Sequence, residues 1–366
     1  MKQCKLLIIS PHFPPINAPD HQRIRISTPY FHEFGWTPHV LAVIPNEVEG
    51  VWDPMLLETL PDALPVRQVG ALPIRYTRPL GVGNLGLRAF YQLYKAGCDW
   101  IEEEKFDLIY FSTTVFNVMA LGPMWKKRYG VPFVLDMQDP WRDNQADVVD
   151  REPVRPGGWL KFTITQAIHR FLEPYVMRRT SHIISVSPAY RETLLKQYDF
   201  LQHEQMSVIP FGASQKDFEI CRSQGISQDF FNPEDDCIHL AYVGRSSPDM
   251  ACALRVLFAA VRAERGRSPQ IWDRVRMHFI GTSYGSGDLA ERTVEPVARE
   301  YDLLDIVSEH PHRIPYFQAL KLLLDSDAVL IVSSDDPGYS ASKLYPYVLA
   351  KKPIIAVMHG DSPVQG

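Results

Sequence analysis

Short runs of branched apolar residues recur along this chain, each followed by a stretch long enough to form a helix and return the backbone in the same direction. Runs that are apolar at nearly every position predict strands covered on both faces, and so a parallel sheet with helices on each side. In the first half the predicted strands are Lys5–Ser10, Pro38–Ile44, Leu108–Phe111, Phe133–Asp136, Ile183–Val186 and Ser207–Ile209. Helical patterns are predicted at Gln22–Phe34, Leu87–Glu104, Val115–Arg128, Trp159–Arg179 and Ala189–Tyr198, while Pro45–Pro79 reads as irregular.

The rhythm is lost in the polar segment Phe211–Asp236 and then restarts. Strands are predicted at His239–Val243, Met277–Ile280, Ile306–Ser308, Ala328–Val332 and Ile354–Val357. Helices are predicted near Met250–Arg265, Asp288–Tyr301, Tyr316–Leu324 and Lys343–Lys351. The fold class is therefore α/β, with two tandem Rossmann-like doubly wound domains, residues 1–212 and 213–366. Ligands of such sheets bind beyond the carboxyl ends of the strands, so the expected site is a cleft between the domains. The last strand is followed only by "MHGDSPVQG", which would leave a sheet edge open. The expectation is that the second domain is incomplete and the natural chain continues.

Composition narrows the function classes. A net charge of −5 gives no global footprint for nucleic acid. The five cysteines are odd in number and contain no Cys-x-x-Cys pair, which points to a reducing compartment and away from disulfides or structural zinc. The amino terminus lacks the apolar core of a signal peptide and no long apolar run follows, so a cytoplasmic protein is expected. The segment Gly157–Arg179 mixes Trp159, Phe162 and Phe171 with Lys161, Arg170, Arg178 and Arg179. It suits peripheral contact with the inner face of a membrane, and a helix packed on its own domain explains the same pattern.

Chemistry-bearing residues cluster just after predicted strands. The first strand runs into "SPHFPPINAPDHQRIR", which places His12, Asn17, Asp20 and Arg23 for ligand contact. "PFVLDMQDPWRDN" ends a buried strand in Asp136; Asp139 in the loop beyond is favoured over Asp136 and Asp143 as a general base or a partner for a sugar hydroxyl. "HLAYVGRSS" ends a strand in Gly244 and Arg245, a glycine that lets a ligand approach and a planar fork suited to phosphate. In "SASKLYPYVLAKKP", Pro346 has no backbone N–H, so a helix should begin at about Ser342 or Lys343. That sets the Lys343 cation at a helix start, where an anion is favoured.

Other patterns carry less. "GVGNLG" at Gly81–Gly86 fits Gly-x-Gly-x-x-Gly, but the prolines and arginines before it argue against a strand and so against dinucleotide binding. Asp136-x-x-Asp139 and Asp335-Asp336 show no third ligand, so no metal site is expected. His310 and His312 read as a loop pair.

Taken in order, "FPPINAPDHQRIR", "LDMQDPW", Val243-Gly244-Arg245 and Ser342-Lys343-Leu344 through Tyr347, Ala350 and Pro353 resemble the motifs of GT-B fold glycosyltransferases with a glycosyltransferase family 4-like amino-terminal domain. The resemblance implies that the first domain holds a saccharide or lipid-linked acceptor and the second a nucleotide diphosphate-sugar. It implies that Gly244, Arg245, Ser342 and Lys343 bind the diphosphate and that Tyr347 is a further donor residue. Asp139, His12 or Asp20 would handle the acceptor hydroxyl, with Asn17, Arg23 and Gln138 in the cleft loops. It implies no cofactor and a hexosyltransferase-like, metal-independent reaction of polysaccharide biosynthesis.

The chain departs from the family pattern at three places. Asn17-Ala18 replaces a glycine pair, which weakens the case for backbone contact with a phosphate at that loop, although asparagine tolerates positive φ better than most residues. Gln138 stands where many members have histidine, and the paired donor glutamates fall at Gly338 and Pro346. The lost glutamates motivate one alternative, a non-catalytic nucleotide-sugar-binding relative or partner subunit, and the shared fold admits another, a nucleotide-sugar epimerase.

Overall fold

In the computed structural model, the described residues are 3–80, 82–142, 159–283, 290–334 and 342–360. They form two compact units, Met1–Pro210 and Phe211–Gly366. In the first, strands β1 (Cys4–Ile9), β2 (Ile16–Asn17), β3 (Trp36–Val43), β4 (Val51–Trp52), β5 (Val66–Val69), β6 (Leu108–Ser112), β7 (Phe133–Met137), β8 (His182–Ser185) and β9 (Met206–Val208) follow in order. Seven of them make one parallel sheet, β5-β3-β1-β6-β7-β8-β9, while β2 and β4 pair separately and antiparallel. The second unit has β10 (Ile238–Val243), β11 (Val275–Ile280), β12 (Val307–His310), β13 (Ala328–Val332) and β14 (Ile354–Val357), parallel in the order β12-β11-β10-β13-β14.

β1 shows why the apolar runs form central strands. Leu7 and Ile9 enter one core with Trp125 and Phe133, while Leu6 and Ile8 enter the other with Ile24 and Val40. Burying each such side chain stabilises the fold by about 1.5–3 kcal/mol, so any register that turned one face outward would lose several of these contributions at once. β10 repeats the arrangement, with Leu240 and Tyr242 on one side and Ala241 on the other.

The helix Trp159–Met177 packs on its own unit, with Val176 and Met177 in the core and Leu172 and Tyr175 against it. Three expectations about local structure change. The helix predicted over Gln22–Phe34 is an α-helix only to Ser27 and continues as a 3-10 helix over Thr28–Phe34, because Pro29 brings no N–H to the α-helical ladder. The Pro45–Pro79 stretch holds the edge strand β5 and several short helical turns; β5 was hidden because its residues are exposed or half-buried and only half apolar. The polar boundary segment contains the helix Gln215–Ser223, capped by the Ser214 side chain and burying Phe218 and Cys221 on its one apolar face.

"GVGNLG" follows helical turns, Ile74–Thr77 and Arg78–Leu80, rather than a strand. Asn84 in it caps the helix Leu85–Glu104, its Oδ1 accepting from the Leu87 N–H at 3.3 Å. Gly81 lies outside the described residues, as do Asp143, Asp335, Asp336 and Gly338.

Candidate functional site

Each sheet reverses its strand order beside its first strand, between β1 and β6 and between β10 and β13. Loops that leave neighbouring strands there diverge and open a crevice at the carboxyl edge. His12 follows β1 and Thr113 to Val115 follow β6; Gly244 and Arg245 follow β10 and Ser333 and Ser334 follow β13.

In the first unit the loop after β1 folds back so that His12 Nδ1 meets the Asp20 carboxylate, at 3.0 Å from Oδ1 and 2.9 Å from Oδ2. Asp20 is buried and also accepts from Thr113 Oγ1 at 2.8 Å and the Thr114 N–H at 3.3 Å. Burial opposes protonation of His12, but the facing Asp20 carboxylate outweighs it and raises the imidazole above its ordinary value. Burial likewise pushes Asp20 up, and His12 more than reverses this, leaving the carboxyl low. His21, buried next to it, is pushed down to about 4, first by burial.

Beneath this pair lies a second, fully buried set of groups. Ser112 Oγ and Gln138 Nε2 donate to Asp136 Oδ2 at 2.7 and 3.0 Å, and Gln138 Nε2 also reaches the Asp20 carbonyl at 2.9 Å. Arg23 Nε stands 3.0 Å from Asp136 Oδ2, while its other nitrogens donate to the carbonyls of Ile209 and Pro210 at 2.9 and 3.1 Å. Burial raises the Asp136 carboxyl despite the pull of Arg23.

A cavity of about 290 Å³ opens beside the His12 pair, lined by His12, Thr114 and Val115 from the strand ends and by Asn84, Leu85 and Arg88 from the facing helix start. With Nδ1 engaged by Asp20, Nε2 is the imidazole nitrogen a ligand there would meet. The Arg88 guanidinium is buried and donates to the carbonyls of Leu72 and Glu47 at 2.8 and 2.7 Å, which fixes the wall of the cavity.

The carboxyl edge of the second sheet has the opposite character. Gly244 has φ +132°, and a Cβ there would lie 3.4 Å from Lys343 Nζ. Lys343 is half-buried, sits over the Tyr242 ring at 3.8 Å and donates to the Tyr242 hydroxyl. Burial, then the charges of Arg313 and Arg245, push its ammonium down to about 7. Arg313 comes from the loop after β12, its side chain 3.6 Å from where a Cβ on Gly281 would be. Arg245 is half-exposed and turned toward Ser247 and Asp249, with Nη2 3.3 Å from the Asp249 carboxylate. Glu309 at this edge is taken up by Thr282 and the backbone N–H groups of Thr293, Val294 and Glu295. Lys343 is thus held in the field of two arginines, a placement that an anion would relieve, and the glycines Gly244 and Gly281 border the same edge.

Residues 30–212, half of the chain, match the sequence profile of the Glycosyl transferase 4-like domain. The chain belongs to this glycosyltransferase family. Among solved structures, HepE of Anabaena in complex with UDP and glucose aligns with a TM-score of 0.57 at 16% identity, over 96% of this chain and 80% of that one. A UDP-forming trehalose-phosphate synthase from Burkholderia xenovorans gives 0.56 at 12% identity, over 97% and 84%. These likenesses show the fold, two Rossmann-like domains of the GT-B type. No curated protein gives a significant match to the chain.

Within this fold, several expected site residues take other places. Arg23 is nearly buried and committed to Asp136 and two carbonyls, so it is a brace of the sheet edge rather than a cleft ligand. Gln138 is likewise buried in the Asp136 network. Asp136, ranked below Asp139 from the sequence, is the buried centre of that network, whereas Asp139 is exposed in the loop beyond. Asn17 is extended within β2 and accepts from Gln22 Nε2 at 3.4 Å, so the loop does not ask it for a positive φ. Tyr347 is buried with its hydroxyl on the Val243 backbone, accepting from N–H at 2.8 Å, so it clamps helix to strand instead of facing a donor. Ser342 is exposed, and Lys343 is the N-cap of the helix Leu344–Ala350 rather than part of its first turn.

Sequence reasoning missed Arg313 and the cavity wall of Asn84, Arg88 and Thr114. The signal for Arg313 and Thr114 was the rule that found Gly244, since "PHR" and "TTV" follow strands; Asn84 and Arg88 stand at a helix start and follow none.

Proposed function

We propose that the chain transfers a glycosyl group, of hexose type, from a nucleotide diphosphate-sugar to the hydroxyl of a saccharide or lipid-linked acceptor in polysaccharide synthesis. The observation that carries this is Lys343 against Gly244 at the carboxyl edge of the second sheet, in the field of Arg313 and Arg245. These cations would hold the donor diphosphate and stabilise the charge that builds on the leaving nucleotide. They supply the countercharge through side chains, so the reaction is written without a metal, and chelator should leave it unchanged. Structures of HepE contain UDP and UDP-glucose, which favours a uridine donor. In the first unit the cavity beside His12 would take the acceptor, with neutral His12 accepting the hydroxyl proton and Asp20 stabilising the imidazolium that forms.

Calorimetry against uridine, guanosine and adenosine diphosphate sugars tests the reading. Lys343→Ala should weaken donor binding by about thirtyfold to a hundredfold, the scale of a hydrogen bond to a charged group. His12→Ala should keep donor affinity and lower transfer by about 10²–10⁴-fold. Unchanged donor affinity in Lys343→Ala would sink the proposal. Binding without nucleotide release under any acceptor would instead favour the non-catalytic relative, to which Pro346 at the position of a family glutamate lends support.

A further inference from the structure

The carboxyl edge of the second sheet holds a carboxylate that the diphosphate reading leaves unused. Asp249 lies in the short 3-10 helix Pro248–Met250, and its carboxylate ties the loop that leaves β10 to the loop that leaves β13. It accepts from the Ser247 hydroxyl, from Arg245 Nη2 at 3.3 Å and from the Ser334 hydroxyl. Burial pushes this carboxyl up, but the two hydroxyls and Arg245 more than reverse that, so Asp249 is ionised at neutral pH. Arg245 commits its Nε and Nη2 to the same group, donating to Ser247 Oγ at 3.1 and 2.6 Å. A guanidinium grips phosphate through paired hydrogen bonds, from Nε with Nη2 or from Nη1 with Nη2. Nη2 belongs to both forks, so neither is whole while Ser247 and Asp249 hold it. Pro248, whose ring locks its φ, stands between these two acceptors and fixes their spacing. The arginine is therefore engaged within its own loop, although its charge still reaches Lys343.

We propose that Asp249 is a latch on Arg245: it holds the guanidinium while the site is empty, and the donor diphosphate must take Arg245 from it. Asp249 is then a positioning residue that sets donor affinity through Arg245. This rests on the donor reading above for the identity of the anion, but not for the exchange itself. The Arg245 side chain is 48% exposed and that of Asp249 30%, so their pairing is of the surface kind, a factor of about twofold to fivefold in the equilibrium. An anion that binds only the released arginine is weakened by about that factor. When nucleotide leaves, Arg245 returns to Asp249, which favours release of product. A carboxylate that instead aimed Arg245 at the anion would have the opposite sign, since its removal would weaken binding.

The test is calorimetry of the full chain with inorganic pyrophosphate, and with uridine, guanosine and adenosine diphosphate sugars. It compares wild type, Asp249→Asn, Arg245→Gln and the double variant. Asp249→Asn keeps the size of the side chain and an acceptor for Ser247 and Ser334. It should bind pyrophosphate about twofold to fivefold more tightly than wild type. In the Arg245→Gln background the same change should gain much less, because no arginine is left to release, whereas long-range repulsion by the carboxylate would persist there. Weaker or unchanged pyrophosphate binding by Asp249→Asn, an equal gain in both backgrounds, or no pyrophosphate binding by wild type and variant alike would each overturn the latch. The expected gain with pyrophosphate but no binding of any nucleotide sugar would instead overturn the donor reading and leave the latch standing.

Discussion

The two carboxyl sheet edges carry comparable numbers of charged side chains and use them in opposite ways. In the first unit each buried charge is matched within the fold: His12 with Asp20, and Arg23 with Asp136 and two carbonyls. In the second, Lys343 lies in the field of Arg313 and Arg245, which add to burial in pushing its ammonium down, while Arg245 also pairs with Asp249. A matched network rigidifies an edge, whereas a lysine held beside two arginines carries a cost that an incoming anion removes. On the function proposed above, the first edge serves positioning and proton transfer and the second binds diphosphate.

The largest break comes from the matched edge. Asp136→Ala strands the nearly buried Arg23 guanidinium and should cost about 3–5 kcal/mol of stability, read by denaturant unfolding. Asp136→Asn, which keeps a partner for Ser112 and Gln138, should cost clearly less. Equal stability of Asp136→Ala and wild type would show that the two carbonyls alone satisfy Arg23, and the edges would no longer differ as described.

Acid should reach the same unit next. His21 titrates near 4 in the folded chain against about 6.5 unfolded, so the unfolded state binds more protons between those values. Stability should therefore fall as pH drops from about 6.5 toward 4, by on the order of 3 kcal/mol from this residue. His278 in the second unit, also pushed down to about 4 mainly by burial, adds a parallel loss. Asp20 acts with the same sign, since its lowered pKa gives stability that is present above the ordinary carboxylate range and lost as pH falls through the folded value. His12 has the reverse sign: its raised pKa gives stability that is full below its unfolded value and lost as pH rises through the folded one. His21→Gln should flatten the acid limb of a melting-temperature profile.

How much of this the sequence disclosed follows from what each residue answers to. The central strands were readable because both faces are buried, so β1, β10 and β13 are apolar almost throughout. The place of Gly244 and Arg245 at a sheet edge was readable because they directly follow an apolar strand, and that of Lys343 because Pro346 marks the helix start. β5 was not, since an edge strand that is only half apolar gives a weak signal; the strand before Arg313 was expected at Ile306–Ser308, and what went unread was that the loop after it brings Arg313 near Lys343. The partnership of Arg23 with Asp136 was beyond reach for a different reason. Asp136 lies near a strand end and Arg23 in the first turn of a helix, places where a ligand role and a bracing role call for the same residue types, and only the folded chain shows that they meet.

A smaller effect tests how closely the donor edge is fitted. Gly244→Ala puts a Cβ at a φ of +132°, a backbone region L side chains rarely occupy, and 3.4 Å from Lys343 Nζ. The strain should cost about 1–3 kcal/mol of stability, with donor affinity reduced in the same variant because Lys343 is displaced. Loss of stability without loss of affinity would separate the glycine's role in the turn from any role in the site.

The smallest effect is the most telling, because its sign differs between the edges. Lys343→Met keeps the apolar stem over Tyr242 and removes the cation held in the field of Arg313 and Arg245. The unliganded variant should be more stable at neutral pH, on the order of 1 kcal/mol after solvent screening, or about 2–4 °C in melting temperature. The wild-type ammonium, near 7 when free, should be pulled upward by a bound diphosphate, so donor binding between pH 7 and 8 takes up a fraction of a proton. Calorimetry in buffers of different ionisation enthalpy reads that uptake, which should vanish in Lys343→Met, and donor affinity should fall as pH rises above 7. A destabilised Lys343→Met would mean that the second edge is matched like the first. Its cations would then be braces, and the diphosphate would have to be sought elsewhere.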